Sequence, residues 1–220
     1  MHYEFQFGEV LRYWDLLLKG AWLTVQLTSI ATVLGLALGV IGALCRTSRL
    51  RELRWASLAY VELIRNTPFI VQLFFLFFGL PSIGVMLSAE QAALLAMVVN
   101  LGAYSTEIVR AGIEAVHKGQ IEAGLSLAMT RWQIFRYIVI KPALEKIYPA
   151  LTSQFIIIML GSSVVSQISA EELTFAANFI QSRNFRSFEV YFIITAMYVL
   201  MAIGFRQAFK WIGRRAFARH

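Results

Sequence analysis

The chain has 220 residues, of which 58% are hydrophobic and only 15% charged, with a mean hydropathy of +0.64 and a net charge of +7. A soluble domain carries about a quarter charged and about half apolar residues, so composition excludes an ordinary soluble fold. The basic excess fits loops that flank membrane spans, and no nucleic-acid partner is expected.

The start, MHYEFQFGEVLRYWDLLLKG, holds acidic residues and no basic stretch leading into an apolar core, so no cleavable signal peptide is expected. Phe7, Val10, Leu11, Trp14 and Leu18 fall at helical spacing. That pattern suits an amphipathic helix lying on a membrane surface, or else a short buried helix. Residues 22–44 form the first uncharged run, long enough to cross a core of about 30 Å at about 1.5 Å per residue. Cys45 at its end is the only cysteine, which excludes an intrachain disulfide. The second crossing is expected over residues 57–80, with Glu62 and Arg65 inside it, and the third over 89–113. A polar helical segment, 117–142, comes next. The fourth crossing is expected over 147–167 and the fifth over 189–209. Between these two, residues 173–180 are apolar but too short to cross, as in a re-entrant or interfacial helix, and Glu171 and Glu172 precede them. The chain reads as one all-α integral membrane domain with five spans.

Basic residues set the expected orientation. Arg46, Arg49, Arg51 and Arg54 follow the first span; Arg110, Lys118, Arg131, Arg136, Lys141 and Lys146 lie near the third loop; Arg206, Lys210, Arg214, Arg215 and Arg219 close the chain. These are 15 of the 20 basic residues, against Arg12, Lys19, Arg183 and Arg186 on the other side. The positive-inside rule then puts the N-terminus outside and the C-terminus inside, a parity that five crossings satisfy.

Within 117–142, Ile121, Leu125, Ala128, Met129, Trp132 and Phe135 follow one helical stripe, with Gln120, Glu122, Ser126, Thr130 and Gln133 opposite. Such a helix can rest on lipid headgroups. Small residues beside the acid Glu122 also permit close approach of another backbone, and an acid suits a helix N-terminus. Glu122-Ala123-Gly124, the small Ala128 and the apolar-then-proline ending at Pro142 resemble the EAA loop of membrane subunits of bacterial ATP-binding-cassette importers. The copy departs from the pattern: Gly124 stands where a second Ala is usual, Ala128 where Gly is usual, and Pro142 is one position late behind Lys141. Residues 60–73, YVELIRNTPFIVQL, are similar to the E-x-x-R-x-T-P-x-x-V-Q signature of the polar amino acid permease branch. Residues 100–120, NLGAYSTEIVRAGIEAVHKGQ, resemble its G-A-Y-x-x-E-I-x-R-x-G segment running into K-G-Q. The likeness covers roughly residues 10–212.

The resemblance implies a type I importer permease fold with a cytoplasmic coupling loop at 117–142, in the bacterial inner membrane. It divides the chain into a periplasmic amphipathic segment, 1–19, a transmembrane type-1 domain, 20–212, and a basic cytoplasmic tail, 213–220. Coupling to the ATPase falls to Gly119, Glu122, Ala123, Gly124, Ala128 and Arg131. The implied partners are a cytoplasmic ATPase dimer that binds ATP-Mg, a second permease subunit, identical or paralogous, and a periplasmic amino-acid-binding protein, all around membrane lipid. The chain itself has no G-x-x-x-x-G-K-[ST] phosphate loop, so no cofactor and no catalysis are expected in it.

Glu62 and Arg65 are one turn apart, and a charge at the bilayer centre costs about 2.5 to 3.5 kcal/mol on insertion scales, so a buried pair of Arg65 with Glu62 or Glu107 is one expectation. The other is that Arg65 reaches the surface from a span that starts later. Pro68 is placed to break the helix and free backbone carbonyls. Asn100, Tyr104, Ser153, Gln154, Ser162 and Ser163 are the polar residues available for a substrate path. Where many relatives carry K-D-T or similar, this chain has Gly161-Ser162-Ser163, which implies a less charged substrate or a site held by the partner permease. An ion- or proton-coupled carrier or channel is the alternative function, but it needs ionisable residues strung along a path and only Glu62, Arg65 and Glu107 qualify. An intramembrane hydrolase is excluded because His2, His117 and His220 all lie outside the spans.

Overall fold

The computed structural model describes residues 5–217, and within them every regular element is helical. In chain order these are α1 (Phe7–Leu11), α2 (Trp14–Arg46), α3 (Arg51–Arg65), α4 (Phe69–Phe74), α5 (Ala89–Glu114), α6 (Lys118–Ser126), α7 (Arg131–Gln133), α8 (Ile140–Gly161), α9 (Leu173–Asn184) and α10 (Ser187–Ala216). A π turn, Phe75–Gly79, and a 3-10 turn, Leu80–Ile83, prolong α4. Another π turn, Ile134–Val139, joins α7 to α8, and a 3-10 turn, Ser162–Ile168, prolongs α8.

Four helical runs are long and apolar enough to cross a membrane: α2, α5, Arg131–Ile168 and α10. The second expected crossing, over residues 57–80, is not a straight span. α3 and the Phe69–Ile83 run are bent by 109° at residues 66–68, so the stretch counts as one crossing only as a broken pair. Two expected boundaries fall inside helices: α2 starts before residue 20, and α10 runs past residue 212, while residues 1–4 and 218–220 of the outer segment and the tail lie outside the described residues.

α2 and α5 form the centre. Lipid gives no hydrophobic push between helices, so close packing of small residues must supply the contact. Gly35, Gly39 and Gly42 recur along α2, and a Cβ on Gly39 or Gly42 would fall on the side chain of Ser105 or Thr106 of α5. Ser57 of α3 donates to the Gly42 carbonyl at 3.0 Å and so joins the same seam.

A second core gathers Val10, Leu17, Leu173, Ala176, Ala177, Ile180, Val190 and Ile194. The N-terminal segment is thus docked on α9 and α10 rather than lying alone on a surface, although Leu11, Trp14 and Leu18 of its stripe remain exposed. α9 is the short helix expected over 173–180, and its apolar face is what closes this core.

Three contacts align the basic ends of the helices. Arg46 at the end of α2 reaches Glu107 of α5, Gly112 of α5 faces Ile147 of α8, and the Tyr148 hydroxyl of α8 donates to the Phe209 carbonyl of α10. The clusters around Arg46, Arg110, Lys146 and Arg214 therefore share one end. α1, α9 and the start of α10 share the other.

Candidate functional site

The segment at 117–142 is a helical hairpin, not one continuous stripe. His117 caps α6 through Nδ1, which accepts from the Gly119 amide at 3.1 Å. α6 then stops because the backbone turns left-handed at Ala128, φ 53°. Ala128 N donates to Leu125 O at 3.0 Å and Met129 N to Gly124 O at 3.1 Å, the paired bonds of a Schellman ending. Glycine is the residue that fits this position, which explains why the loop pattern has Gly where this chain has Ala. Left-handed backbone costs an L-residue about 1–2 kcal/mol, partly offset by the lower unfolded-state entropy of Ala. Ala128→Gly is expected to stabilise the hairpin by about 1 kcal/mol, seen as a higher unfolding temperature of the detergent-solubilised protein.

Thr130 and Gln133 form a capping box that restarts the helix as α7. Pro142 has no N–H for the Ile138 carbonyl, and the helix widens to its π turn immediately before it. The displaced proline is accommodated in this way. The hairpin is closed by Val116, Ile134, Val139 and Ala143, with Ile121, Met129, Phe135 and Ile138 packed on them. Gly124 is buried here; a Cβ on it would lie 2.7 Å from Ile138 Cδ1 and 3.0 Å from Ile134 Cγ1, so Gly replaces the usual Ala where the two limbs touch. Leu125, Leu127 and Trp132 are left outward, 53%, 76% and 68% exposed, beside exposed Glu122, Ala123 and Arg131. Leu125 and Trp132 of the expected stripe are therefore free surface, not core.

The signature at 60–73 builds the bend. Pro68 cannot donate to the Ile64 carbonyl. Gln72 Nε2 does so instead at 2.7 Å, and also meets Thr67 O at 3.1 Å and Thr67 Oγ1 at 2.9 Å. Thr67 Oγ1 donates to Leu63 O at 2.8 Å, and Asn66 Nδ2 to Glu62 O at 2.8 Å and Glu62 Oε2 at 2.9 Å. The carbonyls of Glu62, Leu63 and Ile64, in the last turn of α3, are each met by a side chain from the break or from just after it. Asn100 Nδ2 of α5 then donates to Gln72 Oε1 at 3.0 Å, fixing the bend to the central helix pair.

The expected buried pair of Arg65 with Glu62 or Glu107 does not form. Glu62 and Arg65 are exposed, and Glu62 takes Asn66 as its partner. The Arg65 guanidinium stands over the Tyr104 ring, 5.4 Å from its centre. Glu107 belongs to a different cluster, bonded to Arg110 at 2.6 Å and 3.4 Å from Arg46 Nε, with Arg110 also holding Glu114 at 2.6 Å. That cluster clamps the ends of α2 and α5.

The polar set does not converge on one site. Asn100 and Tyr104 lie at the bend. Ser162 and Ser163 bond back to the Met159 and Leu160 carbonyls at 2.6 and 2.9 Å, so they serve the 3-10 turn. Ser153 lines a separate cleft against α10, and Gln154 is half-buried on the next position of α8.

Sequence reasoning missed Glu172, placed in an acidic outer loop but fully buried. It caps α9 by accepting from Phe175 N at 3.0 Å, and it accepts from Tyr198 Oη at 2.6 Å and Thr24 Oγ1 at 3.4 Å. Burial pushes its carboxyl pKa up, against the opposing pull of these hydrogen bonds. The partners come from α2 and α10, far away in sequence, and no local pattern signals them.

Residues 31–217 match the family model described as the binding-protein-dependent transport system inner membrane component. The chain is 38% identical over 184 residues to the L-cystine transport system permease protein TcyB of Bacillus subtilis, covering 84% of this chain and 79% of that one. It is 31% identical over 202 residues to the glutamine transport system permease protein GlnP of Escherichia coli, covering 91% and 92%. Among solved structures, an amino acid ABC transporter crystallised with histidines superposes with a TM-score of 0.90 at 37% identity, over 97% of this chain and all of that one. The inward-facing MetNI methionine ABC transporter superposes with a TM-score of 0.75 at 22% identity, a likeness of fold, over 91% and 96%. With a family match over most of the chain, and a 60–73 signature that builds the central bend, the chain belongs to the inner membrane components of binding-protein-dependent transport systems.

Proposed function

We propose that the chain is the permease subunit of an ATP-binding-cassette importer for a polar amino acid. Relatives named for cystine and glutamine transport support the substrate class. Two permease chains, identical or paralogous, enclose the path in the bacterial inner membrane. The basic end faces the cytoplasm and the α9 end receives the amino acid from a periplasmic binding protein. ATP-Mg is bound and hydrolysed by the partner ATPase pair.

The observation that carries this reading is the hairpin. Its base is apolar and closed, so it is stiff, and its tip offers Glu122, Ala123, Leu125, Leu127 and Trp132 outward. A stiff tip transmits a push from the ATPase into α5 and α8, which it joins. At the other end of the relay, the bend at Pro68 holds the exposed Arg65 over the half-buried Tyr104. A guanidinium and a phenol there suit the carboxylate of a passing amino acid. Ser162 and Ser163 act as helix supports rather than as substrate ligands.

The test is Glu122→Arg in the assembled importer. Normal insertion is expected, with substrate-stimulated ATP hydrolysis reduced at least about tenfold, which needs a loss of only about 1.4 kcal/mol in the docked state. Unchanged stimulation would remove Glu122 from the docking face.

A further inference from the structure

A cleft of about 800 Å³ opens between the middle of α8 and the C-terminal part of α10, at the basic end of the molecule. Its walls have two characters. Pro149, Ile156, Ile157 and Phe209 make an apolar floor, and Arg206, Lys210 and Arg214 stand along one edge. Spacing of four residues keeps these three cations on one face of α10, over about 12 Å of its axis at about 1.5 Å per residue. Among the described residues Glu145 is the only carboxylate lining the cleft, and no ion pair within 4.0 Å joins it, or any other described carboxylate, to the three cations.

The cleft is built, not a gap between loose ends. The Tyr148 hydroxyl holds the Phe209 carbonyl, its ring packs edge-on to Phe217 at 5.3 Å, and Gly213 makes room for that ring. Phe155 meets Phe209 at 5.4 Å and closes the inner end. Thr152 uses its hydroxyl on the Pro149 carbonyl at 2.8 Å, which leaves the floor apolar.

An apolar trough with an unneutralised basic edge complements a molecule with a hydrocarbon tail and an anionic head. We propose that the cleft seats one anionic phospholipid, its phosphate at Lys210 and Arg214 and an acyl chain along Ile156, Ile157 and Phe209. The lipid comes from the leaflet at the basic end, so the assignment to the cytoplasmic leaflet rests on the orientation proposed above. Basic pockets between spans on that side are sites where such headgroups gather. Arg206, deeper in the trough, reaches up to the phosphate along its own aliphatic stem. Bound there, the lipid ties α10 to α8 next to the hairpin.

The experiment uses the complete importer in phosphatidylcholine nanodiscs doped with photoactivatable phosphatidylglycerol, with adducts mapped by peptide mass spectrometry. Adducts are expected on the α8 and α10 peptides. Removing the three cations together (R206Q, K210Q, R214Q) is expected to lower their yield at least about tenfold, as the loss of three headgroup contacts requires. Removing equal charge at Arg49, Arg51 and Arg54 by glutamine is expected to leave it unchanged. Ile157→Trp, which fills the floor and keeps every charge, is expected to lower it as well. Equal labelling by photoactivatable phosphatidylcholine, displacement by excess inorganic phosphate, or insensitivity to both the triple and the Trp variants would overturn the proposal. So would disulfide formation between Ser153→Cys of two copies, which would make the cleft an interface. Substrate-stimulated ATP hydrolysis in the same samples reports the importer reading separately.

Discussion

Gln72→Leu is expected to destabilise the protein by about 3 kcal/mol and to cut transport about a hundredfold, because several buried or half-buried polar groups lose a partner at once. The Gln72 amide nitrogen is the donor for Ile64 O, Thr67 O and Thr67 Oγ1, and its oxygen accepts from Asn100. Gln72 and Asn100 are both buried. An unpaired buried group costs about 1–3 kcal/mol, and Leu fills the volume without meeting any of them. The Ile64 carbonyl suffers most, since Pro68 cannot donate to it. The bend then loses its brace, and Arg65 and Tyr104 lose their common placement. A double variant, Gln72→Leu with Asn100→Leu, removes the orphaned Asn100 amide and is expected to recover about 1 kcal/mol of the loss, while Ile64 stays unpaired. Thermal unfolding of the purified complex and uptake into proteoliposomes check the two effects. A Gln72→Leu protein with unchanged stability and uptake would show that the bend does not depend on this brace.

The same residues show what was legible beforehand. The E-x-x-R-x-T-P-x-x-V-Q stretch marked Pro68 as a break and marked the family, yet the largely apolar run around it reads as one crossing, because apolar length carries no direction. The 109° turn depends on Gln72 reaching back eight residues to Ile64, a contact with no periodic signature. Glu62 and Arg65 have the spacing of an ion pair, but the Asn66 amide takes the Glu62 carboxylate, and the Tyr104 face draws Arg65 away. In the hairpin, the stripe from Ile121 to Phe135 continues at helical period straight through Ala128, a residue of high helix propensity in a left-handed turn. Local preference lost there to the packing of Ile134 and Ile138 on Gly124. The long spans and the basic asymmetry needed only composition, and those were readable.

Glu172→Ala is the second large effect, expected to cost about 2–3 kcal/mol by stripping α9 of its cap, leaving the half-buried Phe175 amide without its acceptor and the Tyr198 hydroxyl with Thr174 alone. Glu172→Gln keeps an oxygen for Phe175 and can donate its amide to Tyr198, which in turn lies 2.9 Å from Thr174 Oγ1. The Gln variant is therefore expected to stay within about 1 kcal/mol of the parent at neutral pH. pH separates charge from shape. Burial raises the Glu172 carboxyl above its ordinary value of 4.5. A carboxyl that holds its proton more tightly folded than unfolded stabilises the folded state at acid pH. That contribution is complete below about 4.5 and is lost as the pH rises through the raised folded-state value. Glutamine does not titrate, so the stability difference, parent minus Gln variant, is expected to fall as pH rises through that window and to level off above it. Thermal unfolding of both proteins across the pH series measures the difference, in which shared titrations cancel. A difference that rises with pH would mean that Glu172 is held as the anion. α9 would then be fastened to α2 and α10 by a buried charge rather than by a proton-bearing hydrogen-bond network.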